Sequence, residues 1–427
     1  MSATALHCRS AWLTALALAL LGCGAHRNTV RGCVQSETRT LSLSRPSAPE
    51  PTAASGLQVL VRRGETVVGE GATGADGCFD VPVVPAEGAL RVELRLVAAA
   101  PEGGRWVLGV GHAEEAPTPT YWRWTSDGDP SCGASAVDSS ATAEGGAQLG
   151  TWILREACGS GAVAVFMGVR EAIYYFDPTL SPVGGQPVPS LAVLWSPSKK
   201  GDCSACFFDG PADGVTIEGD AFDARIELSG RSDTPAHWAR STLAHEVGHW
   251  VMRAYSRSPS EQGQHSFDLP SSPGLAYKEG WATAFGQRVV GKSSGAELEP
   301  LYLSMQLNQV VWVNLRSLKS TFGPIELPAP EQGVMQPLNE FLVASALWKL
   351  WMKSGTLSGP SLGIGDAGML TVLESQRLRG GLDRGYPGPD LLDALDACVC
   401  TQQATSANLA EVLAPLRYPW DGAAACE

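Results

Sequence analysis

Two histidines and a glutamate stand at a spacing that can do chemistry, in the run His245-Glu246-Val247-Gly248-His249. On a helix, residues four apart stack on one face, so both imidazoles would point at a common centre. Neutral imidazoles are good ligands for Zn²⁺, and a carboxylate beside the first of them would reach a water held by that ion. Such a site suits hydrolysis, because the ion lowers the pKa of its water from ~15.7 toward ~7 and the neighbouring base takes the proton. With 7 histidines in 427 residues, chance predicts roughly 0.006 such patterns per chain. The flanks agree with a buried helix: Thr234 can cap it, Pro235 suits its first turn, and Trp238, Leu243, Val247, Trp250 and Val251 supply an apolar segment. Buried histidines need partners, and a metal is one.

Catalytic zinc usually takes three protein ligands and keeps a fourth position for water. The run resembles the HExxH signature of zinc metallopeptidases. Met252 and Tyr255 stand where the metzincin continuation would need glycine and histidine, and thermolysin's spacing would put the ligand near Leu269. Glu279-Gly280-Trp281-Ala282 instead resembles the E-G-x-A around the third ligand of the M1-like gluzincins. That resemblance, over roughly residues 160 to 350, implies a zincin-like domain that binds Zn²⁺ through His245, His249 and Glu279. It implies hydrolysis of peptide bonds through a zinc-bound water, with Glu246 as general base. Two features depart from the family: Lys278 replaces an asparagine, and the interval from His249 to Glu279 is longer. The G-x-M-E-N motif of the aminopeptidase branch is absent, so aminopeptidase specificity is not implied.

Relatives add a tyrosine or histidine that donates to the oxyanion. Tyr277, Tyr302 and His265 are the candidates in this chain, and no histidine follows His265. Glu261, His265 and Asp268, in the polar segment 256–276, rival Glu279 as third ligand. Thr283, one turn after Glu279, takes a position where relatives often place an acid that orients a ligand. Glu340 either reaches the site or answers the dipole of its own helix.

The elements that must position these groups read as an α+β chain. Residues 30–34 and 57–61 have strand character, Thr73-Gly74-Ala75-Asp76-Gly77-Cys78-Phe79 makes a turn, and residues 90–97 alternate. This order resembles the carboxypeptidase regulatory-like, or transthyretin-like, β-sandwich with its T-x-x-D-G-x-F motif, over about 70 residues. Strands at 106–110, 121–124 and 150–154 would complete a β-sandwich domain over 30–157. A zincin-like metallopeptidase domain would fill 158–427. It opens with a helix whose Val165, Val169, Ile173 and Phe176 share a face, followed by strands at 191–195, 215–217 and 225–228. A second helix, 279–290 closed by Gly291, follows the histidine helix. The remainder reads as mostly helical, including 339–352, 367–378, 390–397 and 406–416.

The N-terminus sets the compartment. After Arg9 comes an apolar run, 11–21, too short to span a bilayer, then Leu20-Leu21-Gly22-Cys23. These residues resemble the lipobox of bacterial lipoproteins, which implies a signal peptide over 1–22, a lipidated Cys23 and a tether over 23–29. The expected location is the cell envelope, outside the cytoplasm and held to a membrane through Cys23. Gly24 supplies no aspartate-type retention signal, which favours the outer membrane. Loss of Arg9 with the signal leaves a chain one unit more negative than the formal −13, unsuited to nucleic acid. Of 11 cysteines, those other than Cys8 and Cys23 fit a disulfide framework with one left over. Cys33 with Cys78, and Cys398 or Cys400 with Cys426, are the plausible local pairs. Two functions fit: a lipid-anchored zinc peptidase acting on peptides or proteins, or a non-catalytic binding lipoprotein stapled by a structural zinc. An intact Glu246 favours the first, since a structural site needs no base.

Overall fold

The computed structural model of the chain describes residues 28–426 except 44, 85–87, 101–104, 114–117, 129–131, 133–146, 198–203, 211–213, 262, 264, 266–268, 294–300, 307–308, 353–359 and 423–425. The expected signal peptide, Cys23 and Asp268 lie outside the described residues.

The fold is α+β. Strands β1 (Thr29–Thr38), β2 (Glu50–Ala53), β3 (Gln58–Arg63), β4 (Thr66–Ala72), β5 (Cys78–Pro82), β6 (Arg91–Arg95), β7 (Val97–Ala99), β8 (Trp106–His112), β9 (Arg123–Thr125) and β10 (Ala147–Leu154) come first. One sheet pairs β1 with β10 in parallel and with β2 and β5 antiparallel. A second runs β4-β3-β6-β9. Side-chain alternation sends Val30, Val34, Phe79 and Val81 from the first, and Val59, Val61, Val92 and Leu94 from the second, into one core. The turn before β5 is structural. Asp76 Oδ1 accepts the Cys78 N–H at 2.9 Å, and Thr73 Oγ1 donates to the Ala54 carbonyl at 2.6 Å. Gly77 sits at φ 77°, and a Cβ there would lie 2.4 Å from the Val34 carbonyl oxygen, so only glycine fits.

Strand β8 departs from the expected division. It pairs in parallel with β11 (Leu191–Trp195), inside a sheet ordered β12-β15-β11-β8-β7 with β12 (Ala205–Phe208) and β15 (Ala224–Leu228). The cause is burial. All of β11 is buried, as are residues 107–111 of β8, and such two-faced strands need neighbours on both sides. The expected boundary at 157/158 thus divides a shared sheet, and the main core runs from Val30 to Tyr418. Strand β12 forms the edge, antiparallel to β15. Between them in sequence, β13 (Val215–Ile217) and β14 (Asp220–Phe222) make a hairpin.

Helix α1 (Ser160–Ile173) precedes this sheet's later strands, and α2 (Arg240–Tyr255) and α3 (Pro273–Ser293) follow them. Thr234 and Pro235 lead into a 3₁₀ turn, Ala236–Trp238, rather than into α2, whose N-cap Ala239 has no side-chain bond. Helix α3 starts six residues before Glu279 because Pro273 suits a first helical position and the Glu261 carboxylate accepts the Leu275 N–H at 2.8 Å. It also runs through Gly291 instead of ending there. Next comes an antiparallel sheet of β16 (Leu301–Gln306), β17 (Gln309–Asn314), β18 (Lys319–Ser320) and β19 (Gly323–Pro324), where mostly helix was expected. Its signal is period two, with Tyr302 and Ser304, and Val311 and Val313, buried. Helices α4 (Glu340–Trp351), α5 (Gly365–Leu373), α6 (Gln376–Arg379), α7 (Leu391–Cys400) and α8 (Ser406–Leu413) complete the fold near the expected positions, except that the single helix expected over 367–378 is broken in two, with Ser375 capping α6.

Disulfides join Cys33 to Cys78, Cys132 to Cys158 and Cys400 to Cys426. Cys206 is also disulfide-bonded, and Cys398 is free and buried. This framework indicates an oxidising environment. Among the described residues no helix is long and apolar enough to cross a membrane.

Candidate metal centre

Helix α2 carries His245, Glu246 and His249, and all three are buried despite their polarity. Glycines let α3 come close enough to complete the site. A Cβ on Gly248 would lie 2.7 Å from Ala282 Cα, and one on Gly286 would lie 3.0 Å from the His245 backbone nitrogen. On its other side α3 meets α4 as closely, since a Cβ on Gly280 would lie 2.7 Å from the Glu340 carbonyl oxygen. Trp281 locks the crossing by donating from Nε1 to the Gly248 carbonyl, between the two histidines, at 2.9 Å. Its ring stacks on Trp351. The E-G-W-A run is thus one device: a carboxylate, a contact with α4, a hydrogen bond to α2 and a small residue under Gly248.

The crossing brings His245, His249 and Glu279 together, with one ligand atom from each within 4.8 Å of the others. Both imidazole Nε2 atoms lie 3.2 Å from the same Glu279 oxygen, Oε2. His245 Nδ1 lies 3.0 Å from Thr283 Oγ1; with a metal bound, Nδ1–H would donate there and leave the Nε2 lone pair for the ion. His249 Nδ1 is buried with no partner; that ring lies against Phe207, centroids 6.0 Å apart. Burial raises the Glu279 carboxyl, yet the His249 charge and hydrogen bonds from both histidines outweigh it and hold the group well below the carboxylate range. Two imidazoles and one ionised carboxylate, buried and converging, form a donor set that a divalent cation fits.

Glu246 stands outside this triad and lines the same cavity, about 430 Å³ in volume. It accepts the Phe207 backbone N–H of edge strand β12, and burial pushes its carboxyl up to about 7 against the opposing influence of His245. A carboxyl poised near neutrality can take and return a proton.

The other expected residues separate by helix geometry. Tyr277 precedes Glu279 by two positions, about 200° around the helix, so it faces away: it is buried near Asp393, Cys398 and Asp390 and does not line the cavity. This corrects its expected catalytic role. Tyr302 lines the cavity, its ring 5.9 Å from that of His245 and its Oη 3.5 Å from Thr242 Oγ1. His265 also lines it, with a side chain 37% exposed. Its Nε2 lies 3.5 Å from Glu279 Oε2, and its Nδ1 lies 2.7 Å from Glu340 Oε2. Burial would lower His265, but the hydrogen bond and charge of Glu340 lift it to about 9. His265 falls outside the three-residue cluster, and Glu261 is spent on capping α3, which leaves Glu279 as third member among the described residues. The sequence reading gave no role to the cavity-lining residues Lys278, Thr242 and Phe207. Only Lys278 left a signal, as a lysine beside the ligand glutamate.

No protein-family model and no curated protein matches the chain. Among solved structures, the major plantain pollen allergen Pla l 1 is similar at 19% identity over 30% of this chain and 92% of its own, with a TM-score of 0.17. A 9R-lipoxygenase from Cyanothece is similar at 9% identity over 62% of this chain and 50% of its own, with a TM-score of 0.18. Such scores define no shared fold.

Proposed function

We propose that the chain is a zinc-dependent metallopeptidase of the gluzincin kind, held to the bacterial cell envelope by a lipid on Cys23. The observation that carries this reading is the division of labour in one buried cavity: His245, His249 and Glu279 converge, while Glu246 stays beside them with a different partner. A sheet with an antiparallel edge strand, followed by two crossing helices, supports a zincin-like domain. The N-terminal sheets and the 73–79 turn fit the regulatory-like β-sandwich.

Bound to His245, His249 and Glu279, Zn²⁺ would supply Lewis acidity toward a carbonyl oxygen and acidify water. Glu246 acts as the base that takes the water's proton and delivers it to the leaving amine. His265, turned by its hydrogen bond to Glu340 Oε2, donates to the oxygen on which negative charge develops. An extended peptide docks along the outer edge of β12, whose residues Ala205, Cys206 and Phe207 line the cavity. An edge strand offers main-chain donors and acceptors regardless of side chain, which suits a peptide substrate.

The decisive experiment is cleavage profiling of a peptide library by the zinc-loaded chain and by Glu246→Gln. The variant should keep about one zinc per chain and lose a factor of ~10² to 10⁴ in turnover. A zinc-loaded wild type that cleaves nothing, or a variant as active as wild type, would end this reading.

A further inference from the structure

Lys278 is the buried cation of the cavity, and nothing in the reaction above uses it. It is 7% exposed, lines the same space as His245, Glu246 and Glu279, and makes no hydrogen bond or ion pair among the described residues. The cavity's carboxylates are engaged elsewhere: Glu279 by His245 and His249, Glu246 by Phe207, and Glu340 by His265. Methionine or leucine would fill the same place without bringing a positive charge to the cavity. Lys278 is fixed on α3 one residue before Glu279, about 100° round the helix, so its position relative to the ligand cluster is set by a rigid element.

We propose that Lys278 is a specificity residue that receives a carboxylate of the peptide substrate in the cleft, either the C-terminal carboxylate or an acidic side chain. This rests on the peptidase reading and names its substrate class. A substrate carboxylate reaching Lys278 gains a charge-assisted hydrogen bond to an ammonium that no described side chain already pairs. A neutral substrate leaves Lys278 unpaired and is bound more weakly.

The test uses the full chain carrying Glu246→Gln, loaded with zinc, so that binding is measured without turnover. Two pairs of short peptides are titrated by calorimetry. The first pair has neutral side chains and ends in a free carboxylate or in its amide. The second is amidated and carries an internal glutamate or glutamine. With Lys278 present, the carboxylate member of one pair should bind roughly 10- to 100-fold more tightly than its neutral twin. The pair that responds identifies the source of the carboxylate. Lys278→Met should abolish the preference while zinc content stays near one per chain, and Lys278→Arg should keep most of it. Twins bound equally with Lys278 in place, twins not bound at all, or a preference that survives Lys278→Met, would overturn the proposal. The comparison on the chain with Lys278 in place stands even if Lys278→Met fails to fold. A wild type without hydrolytic activity sinks the peptidase reading and leaves the twin ratio unchanged; equal twins with an active wild type sink only the role of Lys278.

Discussion

Thr283→Val tests how the metal centre is oriented, because it removes a single hydrogen bond and almost no volume. Thr283 is 1% exposed, and a valine methyl fills the place of its hydroxyl, 3.0 Å from His245 Nδ1, so the variant leaves no room there for a replacing water. A metal on Nε2 obliges the His245 proton to stay on Nδ1, where the variant leaves it buried and unpaired at a cost of about 1–3 kcal/mol. The metal-free chain escapes most of that cost by moving the proton to Nε2, 3.2 Å from Glu279. The penalty therefore falls on the loaded state, and zinc affinity should drop ~10- to 100-fold. Competition with a chromogenic chelator measures it, and Thr283→Ser should recover most of the loss. A Thr283→Val chain that binds zinc within about twofold of wild type would refute the claim that this hydroxyl sets the tautomer of His245.

Glu279→Ala should reduce zinc affinity far more than Thr283→Val does, whereas His265→Ala should still hold about one ion per chain by metal analysis; zinc lost with His265 would make it the ligand instead. Asp390 heads α7, where burial and the charge of Asp393 raise it from 3.8 to about 7. The fold therefore binds that proton more tightly than the unfolded chain, and the stabilisation is complete below 3.8 and lost as pH rises through about 7. Asp390→Asn keeps an oxygen to cap the Asp393 N–H, so by urea denaturation it should gain about 1–3 kcal/mol on wild type between pH 4 and pH 8. Stability curves that run parallel across this range would sink the assignment. Cys23→Ser should release the chain from membranes with its fold intact, and mass spectrometry finding an unmodified N-terminus at another residue would exclude the lipid anchor.

The site was legible in the sequence to the extent that it is local. His245 and His249 lie four residues apart on one helix, so their convergence follows from helix geometry alone, and Glu246 comes with them. The same geometry excludes Tyr277 once Glu279 faces the cluster, but the start of α3 at Pro273 escaped the reading, because the polar residues before Glu279 have the composition of a loop. The 73–79 turn was also readable, because turn chemistry is written in neighbouring residues, whereas Cys33 and Cys78, 45 residues apart, were only a plausible pair until β1 and β5 met. Tertiary structure decided what depends on distant segments meeting. It moved β8 into the sheet of β11, because two strands apolar on both faces bury one another across the 78 intervening residues, which no local pattern links. It drew Glu279 to the histidines through glycine contacts between α2 and α3, and it set Glu340 against His265 at 2.7 Å. It also enclosed Lys278 without a partner among the described residues. Residue type and spacing specify which groups one helix presents, whereas burial and pairing between helices arise only when the core closes around them.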